Sequence, residues 1–163
     1  MNDRREILIE KYIEPSETSC FPLNVFDYKM GYEKWRNEDG ELDSILGHPS
    51  LVKYDLFGEV VEKLWNKKGK LHRERDKPAI IGYQKNKTMH KNWFKKGDYH
   101  RDGDLPAIID YYQDGKVKLE AWYKNGKSHR SNNKPAIIIY NINGKIIKKE
   151  WFDNGHIKKC KVY

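Results

Sequence analysis

The side chains in this chain most able to do chemistry come as three His-Arg pairs, His72-Arg73, His100-Arg101 and His129-Arg130. Each pair follows a glycine (Gly69, Gly97, Gly126) at a fixed offset and precedes a proline (Pro78, Pro106, Pro135) at another. Three imidazoles could in principle hold a zinc ion, and a row of guanidinium groups could track a phosphate backbone or another polyanion. Spacing argues against zinc. If each pair sits one hairpin from the next, the histidines are roughly 10 Å apart, whereas zinc–nitrogen bonds of about 2 Å need ligands nearly touching. The expected role is local: each pair fixes an irregular loop by bonding backbone carbonyls or nearby acids. Glu74 and Asp76 lie beside Arg73, and Asp102 and Asp104 beside Arg101. Ser131-Asn132-Asn133 offers no acid, so Arg130 is expected to be the free arginine. No nucleophile elbow, phosphate-binding loop or His-Glu-x-x-His motif occurs. The carboxylate pairs Glu38/Asp39 and Asp102/Asp104 fall in turn-like contexts where burial would not tune them. No catalytic residue, metal ligand or cofactor is assigned, and a non-enzyme is expected.

The elements that must position these pairs repeat with them. Trp65, Trp93 and Trp122 each open a unit that runs Trp-x3-Gly-x2-His-Arg-x4-Pro-Ala-Ile-Ile-x-Tyr, and Trp151-Phe-Asp-Asn-Gly155 opens a fourth. A period of 28 or 29 residues marks a repeat architecture. Each Pro-Ala-Ile-Ile-x-Tyr segment is β-branched and aromatic and starts at a proline, as a strand can. Asp114-Gly115 and Asn143-Gly144 are hairpin signals that predict type I′ turns. Between Tyr83 and Trp93 the link is one residue shorter, and Asn86 takes the glycine's place. A second turn follows each Trp, so two main strands per unit form an antiparallel meander. The expected fold is all-β: tandem antiparallel hairpins in an extended, twisted single-layer sheet with a short N-terminal cap. The stretch from the second glycine to the proline is expected to pair with the Trp strand and then bulge. Trp65, Trp93, Trp122 and Trp151 form a ladder expected to be packing core rather than a stacking platform for bases. Residues 1–20 form the cap, a short helix through Arg5–Ile13 or an edge strand. Residues 21–64 hold divergent repeats around Trp35, Gly40, Pro49, Tyr54 and Gly58, 65–155 hold three full repeats and the start of a fourth, and 156–163 form a lysine-guarded closing strand.

Composition sets the outer limits. Five Trp and eleven Tyr exclude ordinary disorder despite 34% charged residues. Cys20 and Cys160 are far apart and encode neither a disulfide framework nor a zinc knuckle. No apolar run reaches membrane-spanning length, so a soluble, cytoplasmic protein is expected. The net charge of +8 is uneven: residues 1–64 hold 8 Lys+Arg against 14 Asp+Glu, and 65–163 hold 24 against 10. Lysines in turns keep a β surface soluble, but the excess also admits an acidic protein, nucleic acid or anionic lipid as partner. An open sheet with aromatics on both faces cannot cover both alone, which predicts a protein partner or a homodimer.

The unit Trp-[Tyr/Phe]-x-[Asn/Lys]-Gly-x-x-His-Arg-x4-Pro-Ala-Ile resembles a MORN-like repeat variant abundant in giant viruses of amoebae and present in bacteriophage proteins. The likeness covers residues 65–155 closely and 21–64 loosely. It implies tandem β-hairpins in an extended single-layer sheet. It also implies scaffold, dimerisation or membrane-proximal roles without shared catalytic residues, and a host cytoplasm or virion as location. The chain departs from the shorter ordinary MORN unit by its inserted His-Arg-x4-Pro stretch.

Overall fold

The structure is a computed structural model that describes residues 5–6 and 31–163. Its main sheet has eleven antiparallel strands in the order β1-β2-β3-β4-β7-β8-β11-β12-β15-β16-β17, and the first and last strands do not meet, so it is open rather than a barrel. The strands are β1 (Arg5–Glu6), β2 (Tyr32–Trp35), β3 (Leu51–Tyr54), β4 (Val60–Leu64), β7 (Ile80–Gln84), β8 (Lys87–Asn92), β11 (Ile108–Tyr111), β12 (Val117–Ala121), β15 (Ile137–Tyr140), β16 (Ile146–Asp153) and β17 (His156–Val162). Three small hairpins stand beside it: β5 (Asn66–Lys67) with β6 (Lys70–Leu71), β9 (Phe94–Lys95) with β10 (Asp98–Tyr99), and β13 (Tyr123–Lys124) with β14 (Lys127–Ser128). The all-β meander is as expected, and the residues after each second glycine do pair back onto those after the Trp. No helix is present among the described residues. Of the proposed cap, Arg5–Glu6 is a strand on β2. The rest of 1–20, and residues 21–30 of the divergent repeats, lie outside the described residues.

The turns differ from expectation in an orderly way. In the Asp114-Gly115 and Asn143-Gly144 hairpins only the glycine has positive φ (86° and 78°). Its N–H donates to the carbonyl three residues back, Tyr112 and Asn141. These are type I turns closed by a glycine bulge, not type I′. The loop is one residue too long for I′, and the left-handed glycine takes up the surplus. The register shift after Asp110 and Ile139 is separate, since the shorter hairpin has it too, after Gly82. The shortened link is where type I′ occurs: Lys85 and Asn86 have φ of 48° and 58°, between paired Gln84 and Lys87.

Cross-strand register sorts the side chains onto two faces. On one, Trp65, Trp93 and Trp122 are buried beside Ala79, Ala107 and Ala136, which are fully enclosed. Val52, Ile81, Ile109 and Ile138 follow, then Tyr54, Tyr83, Tyr111 and Tyr140. The position after the proline is fully buried in every unit and holds a small side chain, Ser50 after Pro49 and alanine after Pro78, Pro106 and Pro135. The aromatic ladders thus share one face, contrary to the expectation of aromatics on both. The opposite face carries the row Leu51, Leu64, Ile80, Asn92, Ile108, Ala121, Ile137, matched residue to residue across seven strands. Apart from the buried Ala121, these residues are partly exposed.

Candidate functional site: the inter-repeat clasp

Each loop between a His-Arg pair and its proline holds the unit that follows. The residue two before the proline is Gly47, Asp76, Asp104 or Asn133, and all four have positive φ (83°, 51°, 55°, 53°). That geometry turns the carbonyl outward, where it accepts the next unit's indole N–H: Trp65 Nε1 to Gly47 at 3.0 Å, Trp93 to Asp76 at 3.1 Å, Trp122 to Asp104 at 2.9 Å, Trp151 to Asn133 at 3.0 Å. A buried indole therefore has its donor satisfied by its neighbour and not by its own unit.

The arginines complete the clasp. Arg73, Arg101 and Arg130 lie over the rings of Trp65, Trp93 and Trp122 at 3.5, 3.8 and 3.7 Å. Each donates through Nη1 to the carbonyl of its own proline, Pro78, Pro106 or Pro135. The acid partners come from the preceding unit. Asp76 takes Arg101 Nε and Nη2, both at 2.8 Å. Asp104 takes Arg130 Nε at 2.9 Å and Nη2 at 3.3 Å, together with Lys134 Nζ at 2.7 Å. Arg130 is therefore not free, correcting the expectation from Ser131-Asn132-Asn133: its carboxylate stands 26 positions upstream, where a search within its own unit misses it. Gly47 fills the corresponding position ahead of Arg73, so Arg73 is the ladder member with no carboxylate among the described residues. Trp151 has no arginine, and Lys159 lies over its ring at 4.9 Å.

The histidines serve the small hairpins. His100 Nδ1 accepts the backbone N–H of Asn125 at 3.2 Å, which leaves Nε2 protonated to meet Asp102 Oδ1 at 2.9 Å. His129 repeats this with Asn154 N–H and Ser131 Oγ, both at 3.5 Å. His72 meets Glu74 at 3.0 Å, and its buried Nδ1 has no hydrogen-bond partner. Neighbouring hairpins are also joined by the glycine N–H of one to a carbonyl of the last: Gly97 to Leu71, Gly126 to Tyr99, Gly155 to Ser128. Phe94, Tyr99 and Tyr123 stack along the same line, with centroids 4.2 and 5.2 Å apart. Among the described residues no group of three or more His, Cys, Asp or Glu is placed to hold a metal ion.

Charge is locked inward here. Arg130, then Lys134, holds the Asp104 carboxyl down at about 2. His100, then Lys95, lowers Asp102. Both shifts run opposite to the raised carboxyl that a general acid requires. No motif marks the second polar row on the aliphatic face. There Glu62 meets Lys53 Nζ at 2.6 Å and His90 Nε2 at 3.7 Å. His90 acts first and Lys53 next to hold Glu62 at about 2 against its burial. Asp110, opposite His90 in register, is pushed up by burial. Gly82 makes the row possible, since a Cβ there would lie 2.0 Å from His90 Cε1. The hollows are shallow: about 220 Å³ between the loops holding Arg101 and Arg130, and about 290 Å³ near Tyr111 and Gly115.

Comparison with protein-family models gave no match, and neither the curated proteins nor the solved structures gave one. No helix among the described residues is long and apolar enough to cross a membrane.

Proposed function

We propose that the chain is a MORN-like repeat protein of the giant-virus and bacteriophage type, acting without catalysis as a protein-interaction or assembly scaffold in a host cytoplasm or virion. One observation carries this reading: on the face opposite the tryptophans, Leu51, Leu64, Ile80, Ile108 and Ile137 lie in one row of the open sheet and each stays partly exposed. Apolar rows of this extent are otherwise covered by a partner. The adjoining row sets Lys53 beside Glu62 and His90 beside Asp110, polar pairs that suit a self-complementary contact with a second copy. The rival partner, nucleic acid or another polyanion, draws support from the basic excess of residues 65–163. It is weakened by the carboxylates that already fill the forks of Arg101 and Arg130.

Light scattering across a concentration series tests the scaffold reading. The wild-type chain is expected to associate into dimers at micromolar concentration, and Ile80→Lys/Ile108→Lys to stay monomeric with an unchanged circular dichroism spectrum. A wild-type monomer at every concentration and salt level would remove self-association.

A further inference from the structure

We propose that Arg73, stacked on Trp65, is a receptor for a carboxylate presented by an acidic segment of a protein partner. The chain itself shows what the fork accepts. In the two following units the same guanidinium, on the same indole and tied to the same proline carbonyl, receives a planar carboxylate through Nε and Nη2. At Arg73 the indole stack and the Pro78 tie are present. The carboxylate is missing because Gly47 stands where Asp76 and Asp104 stand elsewhere, and open space surrounds the point where its Cβ would be. The backbone is otherwise intact, since the Gly47 carbonyl still takes the Trp65 indole. Burial lowers the Arg73 pKa, and no carboxylate among the described residues stands against it, so the guanidinium pre-oriented on its ring has no acid partner there. One residue before Gly47, Leu46 is 94% exposed with φ of 51°, an apolar contact beside the vacant position. Together they fit an acidic side chain flanked by apolar residues. This site lies on the tryptophan face and does not depend on the aliphatic row.

The test is a titration of the full-length, ¹⁵N-labelled chain with a peptide of repeating Leu-Glu dipeptides, following arginine Nε–H signals by NMR. Expected is a saturable shift of the Arg73 signal with Arg101 and Arg130 unmoved. Gly47→Asp, which supplies the missing acid in a conformation Asp76 and Asp104 already adopt, is expected to fold normally and weaken binding at least ten-fold. Ile80→Lys/Ile108→Lys is expected to bind as wild type does, which separates this site from the scaffold face. The proposal is overturned by no shift at Arg73, by equal binding of a control peptide of repeating Leu-Gln dipeptides, by equal binding to Gly47→Asp, or by tighter binding of a phosphoserine peptide of the same charge.

Discussion

At the scale of single residues, the unit works by lending. An aspartate two positions before a proline does little for its own loop and much for the next, where it meets a guanidinium already flattened on an indole. A bidentate Arg–carboxylate pair of this kind exceeds an ordinary surface ion pair, because the arginine is held in place before the acid arrives. The aspartates remain about half exposed, so solvent screens the gain. Asp104→Asn should accordingly cost about 1 kcal/mol in urea denaturation. The sign of its pH dependence follows from the lowered carboxyl. The folded value is about 2 and the ordinary value 3.8, so the stabilisation is whole above pH 4 and fades as pH falls toward 2. The difference between wild type and Asp104→Asn should shrink across that window; a difference that grows there would mean that the Asp104 charge is not what stabilises. The acids were visible in the sequence, but their direction of service was not. Sequence proximity pointed Asp76 to Arg73, whereas the left-handed turn at Asp76 aims it forward to Arg101.

At the scale of elements, the hairpins divide by turn length. Three-residue links need a single left-handed residue, which glycine supplies. Two-residue links need two such residues. The Lys85-Asn86 turn meets that need with two non-glycine residues, each strained by roughly 1–2 kcal/mol. Lys85→Asn/Asn86→Gly should therefore raise thermal stability by about 1 kcal/mol; no change would mean that this turn is not left-handed at both positions. Strands, turns and their order were legible because proline, β-branched residues and glycine punctuate every unit. The turn type was not, because Asp-Gly signals a left-handed glycine without fixing how many residues close the loop. His90 was illegible for another reason: its partner Glu62 is two strands away, brought within reach because Gly82 between them has no side chain.

At the scale of the whole molecule, each unit contacts its neighbours and little else, so the sheet grows by addition and ends open. One face is closed by indoles, alanines and arginines, and the other carries an aliphatic row that the described residues leave partly exposed. The periodic tryptophans announced the first face, but which residues would line the second depended on register, and bulges shift register in ways that spacing does not reveal. The account rests on the clasp that holds each buried indole to the loop before it. Hydrogen exchange at the tryptophan Nε1–H groups measures this directly. The indoles of Trp65, Trp93 and Trp122 should exchange as slowly as the amides of the strands beside them, and the half-exposed Trp151 indole faster. Rapid exchange at all of them while the strand amides stay protected would contradict it, leaving the loops hanging free and the units joined by the sheet alone.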